Sequence, residues 1–399
     1  MPFTLAHLIP EINLDKSRQP LTLDSFAREL LPSLLCYYAT AVLVITPRTF
    51  ATRLALLPIT LWATFRAATL VDVVAGWPDY ERLVYLNQGL LLMSVSIAIR
   101  VCIWTFQQEP YRRDKPSSSK YVDALDLVIN LRGIGWSWST GLKLPVETRN
   151  TLSKPAFLLS TTKSFLFYLL AFDICHYVVQ SFGPQTIASA RGGSIYDPSL
   201  HPFMSLLRNF IISGLSGSTV HLSITAAYHF FTIIGVLLGQ SPTAWPPLFF
   251  NPYIATSILD FWGRWHQLFR HNFIEFGGKP MMYLIGRAGM ILGAFFISGV
   301  LHYLGLWGMA RGSDFTAAAG YFMMQGVGAI LELIFRSVVG TRVKGLFGWI
   351  WTYVWTVGWG ILITEAWSLR GLMGSRFFPD GQRPAVIIAE QLSGLWRSP

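Results

Sequence analysis

A helix needs an apolar run of about 20 residues to cross the hydrocarbon core of a bilayer, and such runs recur along most of this chain. The hydropathy pattern predicts about eight spans, near Leu30 to Ile45, Arg53 to Val71, Leu83 to Phe106, Thr162 to Phe182, Ser218 to Leu238, Met281 to Trp307, Phe315 to Val339 and Leu346 to Trp367. The expected fold is therefore all-α, a polytopic integral membrane protein. Composition agrees. Hydrophobic residues make up 52% of the 399 and charged residues only 13%, roughly half the charged share of an ordinary soluble domain. A mean hydropathy of +0.44 excludes both a soluble surface and a disordered chain.

The net charge of +10 is the total that basic cytosolic loops give a polytopic chain, and no nucleic-acid partner is expected. Cys36, Cys102 and Cys175 lie far apart in apolar stretches, without the spacing of a disulfide framework or a metal knuckle. The first 20 residues lack a basic start followed by an apolar core, so no cleaved signal peptide is expected. The segment 107–155 carries Arg112, Arg113, Lys115, Lys120, Arg132, Lys143, Arg149 and Lys154, whereas the turn around Asp72, Asp79 and Glu81 holds only Arg82. The first is expected in the cytosol and the second in the lumen. Alternation then places 239–280 and Arg342 with Lys344 in the cytosol. It also puts the tail, with Arg370, Arg376, Arg383 and Arg397, in the lumen against the same charge bias. Without repeats or a linker, residues 1–399 read as a single membrane-embedded unit with a cytosolic loop at 107–155.

Two features interrupt the membrane pattern. Residues 251–273, NPYIATSILDFWGRWHQLFRHNF, combine aromatics, two arginines and two histidines. As one helix, this window sets Trp262, Trp265, Phe269 and Phe273 in a stripe and His266 and Arg270 at i and i+4. Such a helix either lies passively at the interface or faces a polar ligand, and the pattern leaves both open. The second feature is His302, inside ILGAFFISGVLHYLGLWG. An intramembrane imidazole is costly unless paired or hydrated. It serves either as a general base, given its ordinary pKa of about 6.5, or as a core histidine bonded to a neighbouring carbonyl.

His266 and His302 stand 36 residues apart, and their setting resembles the wax synthase-like branch of the membrane-bound O-acyltransferase superfamily. Phe261-Trp262-Gly263-Arg264-Trp265-His266 with Phe269-Arg270, then Ser298-Gly299-Val300-Leu301-His302, carry the likeness. Arg132-Gly133-Ile134-Gly135-Trp136 resembles a loop motif of fungal members. Gly263 departs from the arginine that often stands at its position in the family. The resemblance implies helices around an acyl-transfer tunnel, with the wax synthase-like catalytic region over 251–330. It implies an acyl-CoA donor, acetyl-CoA favoured, and a lipophilic alcohol acceptor taken from or near the lipid bilayer. It further implies an endoplasmic reticulum location, with acetyl transfer to fungal terpenoids or meroterpenoids preferred over wax-ester synthesis from long-chain acyl-CoA. His302 would be the general base and His266 would orient or stabilise the oxyanion. Arg132, Arg264 and Arg270, with Trp262 and Trp265, would bind the coenzyme A moiety.

Other polar groups read as structural: Asp173 with His176 as a buried pair, Glu332 with Arg336 as a self-neutralising i, i+4 pair, and Gly289 with Gly293 as a site of close helix approach. No metal is expected, since His266 and His271 are five residues apart, not the four of a zinc-binding helix face. A transporter would favour matched halves, and a prenyltransferase or cyclase would need acidic clusters in the spans; neither pattern occurs.

Overall fold

The computed structural model describes residues 18–139, 141–379 and 381–397. Most of the N-terminal stretch read above for a signal, residues 1–17, lies outside them. In chain order the helices used below are α1 (Leu31–Val44), α2 (Phe50–Leu70), α3 (Tyr85–Phe106), α4 (Lys120–Ile129), α5 (Lys154–Ser181), α6 (Pro202–Leu237), α7 (Ile258–Arg264), α8 (Arg270–Phe273), α9 (Lys279–Trp307), α10 (Phe315–Val339), α11 (Gly345–Leu369) and α12 (Pro384–Arg397). Among the described residues, sheet structure is one parallel pair, Gln19–Pro20 against Val71–Asp72. The protein is an all-α, multi-pass integral membrane protein.

Each expected span is a helix, and seven segments are long and apolar enough to cross a membrane. The eighth expected span, α2, falls outside that set because Arg53, Pro58 and Arg66 interrupt it. Both arginines are satisfied internally. Arg66 makes a bidentate pair with Glu29 at 2.7 and 2.9 Å, and Arg53 donates to the Trp104 and Gln107 carbonyls. With its charges so held, α2 packs against α1 and α3.

Loop contacts divide the molecule into two faces. On the loop face, Tyr111 N donates to Val44 O and Arg132 donates to the Pro246 and Pro247 carbonyls. On the opposite, turn face, Arg311 reaches the Glu81 carbonyl at 2.8 Å, and Arg376 N donates to Arg82 O. The C-terminal segment thus shares a face with the turn at 71–84, as alternation requires. The tail arginines that run against the charge bias have structural partners there: Arg376 pairs with Asp79 at 3.1 Å and Arg383 with Asp173 at 2.7 Å.

One expected span is not a single rod. Within α9, Ile285 (φ −134°, ψ 27°) and Gly286 (φ 64°, ψ −147°) leave helical geometry, and the chain folds back on itself. Gly293 lies against the Gly277 carbonyl, Gly278 against Met290, and Gly289 against the Met281 carbonyl. Those pairings describe an antiparallel hairpin with its apex at 285–286, where Tyr283 and Leu284 are 83% and 74% exposed. The close helix expected at Gly289-x-x-x-Gly293 is the chain's own segment 277–281. Continued along the hairpin, the register brings Arg270 level with the turn that bears His302.

A side chain at Gly293 has no room. Gly293→Val should lower stability by about 1–3 kcal/mol, read as a fall in thermal unfolding temperature of the detergent-solubilised protein. Gly320→Ala, at a helical glycine with open space around it, should hold or raise that temperature. Equal effects of the two would remove the hairpin contact from the account.

Candidate active site

The segment leading to His266 is pinned by a carboxylate. Ser257 caps α7, its Oγ accepting from Asp260 N at 3.0 Å. Above that cap sits Glu332 of α10, 7% exposed. Its carboxylate accepts from Ile258 N at 2.6 Å, Leu259 N at 3.3 Å and Trp351 Nε1 at 3.0 Å. The expected Glu332–Arg336 pair is therefore corrected: no ion pair joins them among the described residues, and the carboxylate binds a helix N-terminus, where backbone N–H groups lack intrahelical partners.

The continuous helix expected over this window is also corrected. α7 ends at Arg264, Trp265 is extended (φ −63°, ψ 167°), and α8 starts only at Arg270. Phe250 N takes the Arg264 carbonyl at 3.1 Å, and Gln267 Nε2 takes that of Gly263 at 3.2 Å, so these two carbonyls no longer need a helical continuation. His266 and Arg270 consequently do not share one helix. The break instead turns His266 inward, among Phe249 and Phe269 at ring-centroid distances of 5.8 Å.

From there an aromatic series runs to His302. Trp265 lies 6.1 Å from His266 and from Trp262, Trp262 lies 5.9 Å from Phe322, and Phe322 lies 4.4 Å from the His302 ring. Trp262 is fixed by Nε1–H donation to the buried Gln325 at 3.3 Å. His302 Nδ1 stands 2.8 Å from the Ser298 carbonyl. A carbonyl only accepts, so Nδ1 carries the proton and Nε2 is left with its lone pair. His266 is held neutral: burial, with His302 and His221 nearby, pushes its pKa down to about 3. Its Nδ1 is buried with no hydrogen-bond partner among the described residues.

The three candidate arginines differ sharply. Arg132 is buried, with its guanidinium on the Pro246 and Pro247 carbonyls at 2.9 Å and the Tyr228 hydroxyl at 2.5 Å. Arg264 pairs with Asp260 at 2.8 Å. Arg270 is exposed, and its guanidinium has no carboxylate or hydrogen-bond partner among the described residues. Gly133 and Gly135, both at positive φ (69° and 77°), let the loop motif turn tightly enough for Trp136 Nε1 to reach Asp126 at 2.7 Å. No side chain fits at Gly133, because the Trp138 ring covers it.

Sequence reasoning missed the pairing of Trp138 with His271, whose rings are 4.4 Å apart. Together with Arg132, Gln267 and Arg270 they line a void of about 30 Å³, room for about one water. Trp138 Nε1, Gln267 Oε1 and His271 Nε2 are buried without partners among the described residues. The signal was faint: a tryptophan two residues beyond the Gly-Ile-Gly-Trp motif.

Residues 245–324, which hold α7, His266, the hairpin and His302, match the membrane bound O-acyl transferase family. The wax synthase-like resemblance is borne out. Proteins similar to the chain include the O-Mevalon transferase macI of Penicillium terrestre, 28% identical over 56% of this chain and 54% of that protein. The acetyltransferase aurG of Calcarisporium arbuscula is 26% identical over 42% of this chain and 44% of its own. A long-chain-alcohol O-fatty-acyltransferase of Simmondsia chinensis is 29% identical over 25% of this chain and 30% of its own. The chain spans about half the length of the first two relatives.

If Glu332 caps α7, Glu332→Ala should cost about 3 kcal/mol, since three donors lose a buried charged acceptor. Glu332→Gln should cost less, and Arg336→Ala should stay within about 0.5 kcal/mol. Thermal unfolding of the three variants checks this; equal losses in Glu332→Ala and Arg336→Ala would restore the simple ion pair.

Proposed function

We propose that the protein is an acyl-CoA-dependent O-acyltransferase that moves an acetyl group onto a hydroxyl of a lipophilic terpenoid or meroterpenoid. The observation that carries this reading is the His302 imidazole, whose proton is fixed on Nδ1 by Ser298 inside the family-matched region. Its Nε2 takes the alcohol proton as the hydroxyl oxygen attacks the thioester carbonyl. The C–O bond forms, the tetrahedral oxyanion collapses, the C–S bond breaks, and the imidazolium returns its proton to the departing thiolate. No covalent acyl-enzyme is needed.

His266, neutral and with an unpartnered ring nitrogen, supplies a hydrogen-bond donor to the oxyanion in its Nδ1–H form. Trp262 and Trp265 wall the path between the two imidazoles. Of the three arginines, Arg270 is the one with its guanidinium available to coenzyme A phosphates, while Arg132 and Arg264 shape the segment around it. The loop face is then the cytosolic one, where acyl-CoA is met, in the endoplasmic reticulum membrane. The acetyltransferases among the relatives support an acetyl donor. The Simmondsia chinensis relative keeps a long-chain wax-ester synthase as the second reading, and the Penicillium terrestre relative, named for mevalon transfer, leaves the donor as the less constrained substrate.

Microsomes bearing the protein, given acetyl-CoA or palmitoyl-CoA with fatty and terpenoid alcohols, should release thiol and form ester. His302→Ala should reduce turnover at least about 100-fold while the protein still inserts. Undiminished ester in that variant would overturn the mechanism, and palmitoyl ester in place of acetyl would select the wax-synthase reading. His266→Asn should retain more activity than His266→Ala, since an amide still donates; equal losses would show that only imidazole serves there.

A further inference from the structure

A cavity opens on the turn face, and none of the proposed acyl-transfer residues lines it. It holds about 430 Å³ between the second half of α5, Arg82 and residues of 375–379 and 381–386, within the size range of small-molecule sites. Among the described residues, its polar wall contains Arg82, Arg376 and Arg383 against one carboxylate, Asp173. That carboxylate is already neutralised. Arg383 Nε binds it at 2.7 Å, its Nη1 binds Gln180 at 2.6 Å, and Ala385 N donates to Asp173 at 2.7 Å. His176 joins the same network through the Met373 carbonyl at 3.0 Å and Arg383 Nη2 at 3.3 Å; the expected Asp173–His176 pair is thus corrected, since among the described residues no hydrogen bond joins the two and Arg383 links them.

Positive charge remains beyond that network. Arg376 is paired with Asp79, but Arg82 is exposed and its guanidinium has no partner among the described residues. Ser375, only 3% exposed, lines the cavity with a buried hydroxyl that has no partner either. A buried hydroxyl left unpaired calls for a ligand atom or an ordered water. The remaining wall is apolar, with Tyr177, Phe377, Phe378 and Val386. Beside it, α12 exposes Ile387, Ile388 and Leu392, an apolar face of the kind that suits a lipid interface.

We propose that this cavity binds an anionic amphiphile. Its carboxylate or phosphate head sits on Arg82 with the Ser375 hydroxyl donating, and its apolar body lies along Tyr177, Phe377 and Val386. An anion matches the unpaired cation, and an apolar tail matches both the aromatic wall and the neighbouring interfacial helix. The site is distinct from the His302 centre, and binding there is measured without any acyl transfer.

The test is photo-labelling of the full chain in phosphatidylcholine nanodiscs with three diazirine probes: palmitic acid, phosphatidic acid and methyl palmitate. The acidic probes should label peptides containing Tyr177 and Phe377. Arg82→Gln should lower that labelling about tenfold, the effect of one charge-assisted hydrogen bond, and Ser375→Ala should lower it less. Stronger labelling by phosphatidic acid assigns a bilayer lipid as the source, and stronger labelling by palmitic acid assigns a free amphiphilic acid. Equal labelling by methyl palmitate, no labelling of these peptides, or no loss in Arg82→Gln would overturn the proposal. The Arg82 guanidinium has no partner among the described residues to lose, so an unchanged thermal unfolding temperature in Arg82→Gln keeps a loss of labelling from being a loss of fold.

Discussion

The contact between Gly277 and Gly293 is the constraint on which the site depends. Backbone meets backbone there, so the two arms of the hairpin approach more closely than any side chain at either position allows. Without that approach the segment 270–284 could not run back beside 287–307, and His266 would not reach the neighbourhood of His302. Small residues perform this role in membranes because lipid offers helices no hydrophobic drive to associate; close packing and polar contacts must supply it.

Buried polar groups do the rest of the positioning. Glu332 holds the start of α7 by two backbone donors and the Trp351 indole, Gln325 holds Trp262, and Arg132 holds the 246–247 backbone leading into the site. Each satisfies groups that would be expensive to bury alone. The arginines accordingly fall into two kinds. Arg53, Arg66, Arg132 and Arg383 stitch elements together, whereas Arg82 and Arg270 present charge that is unpaired among the described residues, one on each face. A charge bias counted from sequence cannot separate the two kinds, which is why the tail looked misplaced when only its composition was considered.

The helices were legible because a transmembrane segment states itself in hydropathy, and His302 was legible because an imidazole in such a segment is rare. The hairpin was not read, although a signal existed. Arg270–Trp307 is 38 residues, about 57 Å as one straight helix, far beyond a hydrocarbon core of about 30 Å, and Gly286 is followed directly by Arg287. The break after Arg264 escaped because the stripe of aromatics fits a helix equally well; what ends α7 is capture of its carbonyls by Phe250 and Gln267, one of them 14 residues away in sequence. Glu332 was misread for the same kind of reason: Arg336 is near in sequence, but the three donors it serves are 74, 73 and 19 residues distant.

Direct transfer under a His302 base requires acyl donor and alcohol to occupy the site together. Initial rates measured across several concentrations of acyl-CoA at several fixed concentrations of alcohol test that requirement most directly. Intersecting double-reciprocal lines are the predicted result. Parallel lines, with an acylated protein isolable after acyl-CoA alone, would show a covalent intermediate and contradict the account.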